Sequence, residues 1–571
     1  MLPRKALIYL LLLGSLIFIA ILGVSGCNSY LPGTVSTATS LPEDEPLILN
    51  TDSPLKEKLP SLTPPVILPT NFPVYLSSDP LPEAALSHLS VRDNVEWVAN
   101  EEAADYSLKI IQETNDHDQQ TVIQWVYAIA AAFPTIQDEI SLRQVIDCWR
   151  GMECDGFRLL VSEETQSIFT VLWGIADPKS VVIVPAEQLL EKAWQERDLR
   201  AILPFEQLEP RWKVLRVDNN SPLDQNFSIN DYALTIQWGW QANSNEPFDG
   251  FSDLQEVVTN RLAEKFTSLI LTGTTALVRQ TAERMEVNGL DYPLKDIGDW
   301  LRGADITHVS NEVSFYENCP PAVPVRGGQR FCASPQYLEL FKLAGVDVVE
   351  LTGNHLLDWG SEPFLFTLDL YDQNGFLYYG GGRNLEEARR PLLIHHNGNR
   401  LAIIGCNRAG PENIWATDDQ PGPAPCDMKV LEEEINKAVN DGYLPIVTFQ
   451  HYEVEDFMPM NLTLQEFEQT AQMGAVIVSG SQAHFAHGFG FYKNHFLHYG
   501  LGNLFFDQMF PLHRRQFIDR HIFYDGKYIG VELLTAMLED YARPRPMTQE
   551  ERAGMLEDYF RVSGWLEMEK P

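Results

Sequence analysis

From residue 266 onward short apolar runs recur, and each ends in polar side chains. "FTSLILTG" leads to Thr274, "ADITHVSNE" to Asn311 and Glu312, and "GVDVVELTGNH" to Asn354 and His355. "RLAIIGCN", "YLPIVTFQH", "GAVIVSGSQAH" and "HFLHYGLGN" repeat the pattern, ending at Asn407, His451, His484 and Asn503. Short runs of this kind, rich in Val, Ile and Leu, read as strands buried on both faces. Helical spacing fills several gaps, at 336–343, 363–374, 429–440 and 464–473. Strands alternating with helices specify an α/β domain with helices covering the sheet. Ligands of such sheets bind beyond the carboxyl ends of the strands. The polar tips are therefore expected to meet along one rim.

Those tips carry a carboxylate, amides and imidazoles, and eleven of the thirteen histidines follow residue 300. Such donors suit a borderline divalent ion such as zinc, manganese or iron. Glu312, Asn354, His451 and His484 are the candidate ligands. His355 is the candidate proton donor to a leaving oxygen, and Asp358 the group that orients its ring. Thr274, Asn311, Ser481, Gln482 and Asn503 complete the rim. Against this stands the plainer reading of each His as a strand-end residue bonded to a carbonyl. "GGGRNLEEARRP" lacks the Lys-Ser/Thr of a phosphate loop and reads as a turn into a helix capped by Asn384.

The rest of the chain divides by texture. Arg4 and Lys5 precede an apolar stretch that closes on "VSGC". This reads as a lipoprotein signal peptide, residues 1–27, with Cys27 as the lipidation site; the alternative is a plain membrane anchor. Both readings put the remainder outside the cytoplasm, tethered to the cell membrane. Residues 28–70, rich in Pro, Ser and Thr, read as a tether. Residues 71–250 read as a separate α/β domain. Its "FPTIQDEISLRQVIDCWRG" and "ILPFEQLEPRWKVLRVDNNSPL" loosely resemble the periplasmic substrate-binding-protein fold. Residues 511–571, with "GVELLTAMLEDYA" and "TQEERAGMLEDYFRVSGW", read as a helical extension. Beyond Cys27, six cysteines fall as local pairs: Cys148 with Cys154, Cys319 with Cys332, Cys406 with Cys426. In an exported chain that spacing suggests three disulfides. A net charge of −37 argues against nucleic acid as a partner.

Residues 345–407, "GVDVVELTGNHLLDWGSEPFLFTLDLYDQNGFLYYGGGRNLEEARRPLLIHHNGNRLAIIGCN", closely resemble the CapA family of poly-γ-glutamate capsule synthesis proteins. "ADITHVSNEVSF", "TFQHYE", "AVIVSGSQAH" and "FLHYGLGNLFFDQ" match its other blocks in order, so the resemblance covers about 260–510. It implies a calcineurin-like metallophosphoesterase fold, a four-layer α/β sandwich of two sheets between helices. It implies a role in synthesis or export of a poly-γ-glutamate type of surface polymer, with the polymer or its precursor, and other capsule-assembly proteins, as partners. Two alternatives stay open: an extracellular metal-dependent phosphoesterase, and a ligand-binding or sensing lipoprotein. The family's usual Gly-Asp is Gly273-Thr274 here, and its Gly-His-His-Pro-His is Gly480 to His484, "GSQAH". A neutral Thr cannot replace a carboxylate, so the expectation is one divalent ion (Mn, Zn or Fe) or none.

Overall fold

The computed structural model describes residues 47–48, 74–89, 95–112, 121–242, 257–322 and 330–566. The signal sequence, Cys27 and nearly all of the tether lie outside the described residues. Inside the tether segment, Leu47–Ile48 forms a short strand parallel to Leu392–His396. No helix among the described residues is long and apolar enough to cross a membrane.

The second domain is a four-layer α/β sandwich. One sheet runs in the order Leu377–Tyr379, Val348–Glu350, Ile306–Asn311, Phe266–Thr272, Arg515–Tyr524, Lys527–Glu539, Arg543–Pro546. The other runs Leu47–Ile48, Leu392–His396, Asn399–Asn407, Leu444–Gln450, Ile477–Ser479, His495–His498, Phe489–Tyr492. Strand side chains alternate between faces, which explains why both faces read as apolar. Leu269 and Leu271 point into the layer between the sheets, against Ile403, Ile446 and Ile477. Ile270, Val309 and Val349 point outward, under Phe341 and Phe364 of the helices Leu338–Ala344 and Ser361–Asn374. On the far side, Val447 and Val478 carry Ile435 and Phe467 of the helices Met428–Asn440 and Asn461–Met473. Asn384 caps the short helix Leu385–Arg389 by accepting from the Glu387 N–H.

The C-terminal extension is mainly sheet, which corrects the helical reading of 511–571. "GVELLTAMLEDYA" lies largely in the strand Lys527–Glu539, paired antiparallel with Arg515–Tyr524. Between them, Asp525 and Gly526 take φ of 50° and 75°. That is the Asp-Gly hairpin signal, in which both central residues sit at positive φ. Apolar residues on both faces of the strand serve two cores: Val531 and Leu533 the inter-sheet layer, Leu534 and Ala536 the outer one. Among its described residues only Gln549–Val562 forms an α-helix, begun by a capping box of Thr548 and Glu551. Gly526→Ala should cost about 1 kcal/mol or more, because Gly alone tolerates that φ freely. A lower urea midpoint would show it; an unchanged midpoint would contradict the hairpin.

The first domain is built on Thr121–Ala132. This strand pairs with Thr235–Ala242 and with Leu199–Pro204 and Trp212–Val217. Parallel strands Arg158–Val161 and Val181–Ile183 extend the sheet on one side, Tyr106–Ile110 and Val74–Ser78 on the other. Phe133, just past the central strand, is 2% exposed and inserts among Phe489, Phe491, Phe496, Phe560 and Trp565 of the second domain. Nearby, Arg552 of the last helix grips both oxygens of Asp138, at 2.7 and 2.9 Å. All three cysteine pairs are disulfides, with Cα separations of 4.5, 5.8 and 5.0 Å for 148–154, 319–332 and 406–426.

Candidate metal centre

The site forms where strands of both sheets end. Gly273 packs against the backbone of Gly502 so tightly that a Cβ there would meet the Gly502 carbonyl oxygen at 1.9 Å. This close approach zips Thr274 to Asn503 across the rim. Beside it, the Glu312 N–H donates to the Thr275 carbonyl at 2.9 Å, and Val313 bridges to His355. Thr274, Glu312, His355 and Asn503 are thus drawn together by backbone contacts alone.

Glu312 is fully buried, and neither carboxylate oxygen has a hydrogen-bond partner. Its Oε1 lies 3.5 Å from His484 Nε2. Glu453, 42% exposed at the mouth, places an oxygen 3.7 Å from the same nitrogen. One donor atom from each of Glu312, Glu453 and His484 falls within 4.8 Å of the others. His484 Nδ1 donates to Asn503 Oδ1 at 2.8 Å, which turns Nε2 toward the two carboxylates. Metal-binding imidazoles are commonly oriented by such a second bond. Asn354 keeps its Oδ1 buried and without a partner. Orphaned buried oxygens need a counterpart, and two carboxylates and an imidazole form a donor set that fits one divalent ion.

His355 stands next to this group. Its Nδ1 bonds Asp358 Oδ2 at 2.8 Å, leaving Nε2 as the nitrogen free to exchange a proton. Burial opposes its charging, but the Asp358 bond and the Glu312 charge hold it above the usual His value. For His484, burial is likewise outweighed by the Glu312 and Glu453 carboxylates, which push it up to about 9. Burial also opposes ionisation of Glu312, yet His484, His355 and Arg279 keep its carboxyl below the ordinary Glu range. In protein stripped of divalent ions the pairing of His484 stabilises the fold fully below about pH 6.5, the unfolded value, and is lost as pH rises through about 9. Protonated His484 cannot ligate, so ion uptake should strengthen with pH up to about 9. A histidine NMR titration with a midpoint near 6.5 would contradict this.

The remaining rim residues have other duties. His451, read from the sequence as a ligand, is occupied elsewhere. Its Nδ1 accepts from the Tyr452 N–H and the Thr463 hydroxyl, and its Nε2 meets Glu466 at 2.8 Å. Glu466 is held in turn by Arg408. The strand Leu444–Gln450 therefore sends its tip His toward the helix Asn461–Met473, and Glu453, two residues later, reaches the centre instead. Asn311 turns outward and donates to Tyr371 and the Val313 carbonyl. Gln482 donates to Ser310 at 2.6 Å, tying one sheet to the other. Ser481 lies beside the buried Glu350 carboxylate. Glu453 is the residue that sequence reasoning missed; its signal was an acid three positions beyond the strand end in "HYEVE".

Comparison with known proteins finds similarity over the second domain. Residues 268–508 match the family described as bacterial capsule synthesis protein PGA_cap. The chain is also similar to the capsule biosynthesis protein CapA of Bacillus anthracis, 26% identical over 256 residues, covering 44% of this chain and 62% of that one. Residues 268–508 thus resemble the capsule synthesis proteins of the CapA type. A second CapA relative, the PGA biosynthesis protein of Bacillus subtilis (strain 168), is 23% identical over 172 residues, 30% of this chain and 45% of its own. The chain spans less than two thirds of the lengths of these relatives. Among solved structures, the Haemophilus influenzae NAD nucleotidase covers 52% of this chain and 56% of its own at 9% identity and a TM-score of 0.30. The ABC-type phosphate transport receptor of Vibrio cholerae covers 32% of this chain and 93% of its own at 11% identity and a TM-score of 0.26. Overlaps this small carry no functional weight.

Proposed function

We propose that this CapA-like protein is anchored to the outer face of the cell membrane through Cys27. There it acts in synthesis or export of a surface polymer of poly-γ-glutamate type. The observation that carries the reading is the convergence of Glu312, Glu453 and His484 at the rim of a family-matched domain, with His355 and Asp358 alongside. Three disulfides fit an oxidising compartment. Glu312, Glu453 and His484 would hold one divalent ion, which when bound supplies Lewis-acid polarisation of a substrate oxygen. His355, kept in one orientation by Asp358, delivers a proton to the departing group from Nε2. Thr274, buried at the place where a second ion would need a carboxylate, favours this reading over a two-metal phosphoesterase.

The test is complementation. In a strain lacking the gene, His355→Ala at wild-type protein level should restore about a hundredth or less of the surface polymer, since a positioned acid is worth about 10²–10⁴-fold. Full polymer from the variant would contradict the proposal. Activity of the purified protein on phosphodiesters, with no effect on polymer, would do so too.

A further inference from the structure

A second pocket of about 310 Å3 opens beside His355. Leu277, Ala282 and Pro320 give it an apolar wall, and Arg330, Phe331 and Trp359 line it as well. One buried hydrogen-bond donor at this pocket lacks an acceptor, and beside it stands one exposed guanidinium. The Trp359 indole Nε1 is buried without a partner. Arg330 gives its Nε to the Asp358 carbonyl at 2.9 Å and lies 5.1 Å over the Trp359 ring. Among the described residues no carboxylate lies within ion-pair distance of Arg330. The neighbouring Arg279, by contrast, is closed off by Asp507.

The pocket shares a wall with the proton donor. The Phe331 N–H donates to Asp358 Oδ2 at 2.7 Å, the same oxygen that holds His355. The Phe331 ring packs 4.6 Å from the His355 ring. A group seated here lies one side chain away from the His355 ring. The buried Trp359 N–H calls for an acceptor, and the exposed Arg330 fork at the pocket edge matches a planar carboxylate. The volume is at the small end for ligand pockets, about 300–1,000 Å3, so one or two residues of a chain would fill it.

We infer that this pocket is a subsite for a carboxylate-bearing unit of the substrate, gripped by Arg330 and the Trp359 indole N–H. The inference rests on the polymer reading above and names the residues that recognise the chain.

Titration calorimetry of the full-length protein tests it with three probes: γ-linked triglutamate, its neutral triamide counterpart, and inorganic phosphate. Triglutamate should bind, and the triamide about tenfold or more weaker. Arg330→Gln should weaken triglutamate by about ten- to a hundredfold, the worth of one charge-assisted contact. Trp359→Phe, which keeps a ring and removes the N–H, should weaken it about three- to tenfold. Divalent-ion affinity and thermal midpoint, unchanged in both variants, report that the fold is intact. Equal binding by Arg330→Gln and wild type, or by triamide and triglutamate, overturns the subsite. Triglutamate binding that responds to Glu312→Gln but not to Arg330→Gln overturns the subsite and leaves the polymer reading standing. Arg330-dependent binding of phosphate without triglutamate overturns both.

Discussion

Glu312→Gln is expected to lower the affinity for manganese or zinc by at least about a hundredfold. Losing a mere supporting partner of a ligand costs about 10–100-fold, and Glu312 is the fully buried member of the donor set. Gln keeps the shape and removes the charge. A second signature accompanies the first. Without the Glu312 carboxylate, His484 in ion-free protein should titrate below the value of about 9 that its acidic neighbours now impose. Glu453→Gln, at the exposed mouth, should have a smaller effect on both. Competition with a chelating indicator measures the affinity. A Glu312→Gln protein that holds the ion as tightly as wild type would remove Glu312 from the centre.

Phe133→Ala should separate the two domains energetically. Truncating a buried Phe costs about 3–5 kcal/mol, and this ring makes edge or tilted contacts with five aromatic rings of the other domain. Such pairs add to the area term. The cost falls on the interface more than on either core. Calorimetry should therefore show the wild-type transition split, the first domain unfolding earlier. Acid should act in the same direction. Burial opposes the charge on Asp138, but Arg552 and Lys213 hold its carboxyl down at about 2. Its contribution is present above the ordinary Asp value and lost as pH falls through about 2. An unsplit transition at the wild-type temperature would show that the domains do not depend on this ring.

Much of this architecture is written locally in the chain. The helix Met428–Asn440 announces itself through apolar spacing and the Asp427 cap, and the strand tips through apolar runs that stop at Asn, Glu or His. What failed to show is long-range. The strand Lys527–Glu539 imitates a helix because two cores, not one, demand apolar residues along it. Its Asp525-Gly526 turn was the better guide. His451 looked like a ligand because its partner Glu466 sits on a helix fifteen residues later, and no pattern links the two. Glu453 escaped notice because it reaches the rim from a loop, beyond the strand end that the pattern marks.

The account turns on where an ion sits. Crystals grown with manganese and measured at its absorption edge give that position directly. One anomalous peak between Glu312, Glu453 and His484 is the result expected. No peak there, or a peak beside His451 and Glu466 instead, would contradict the site on which the functional reading stands.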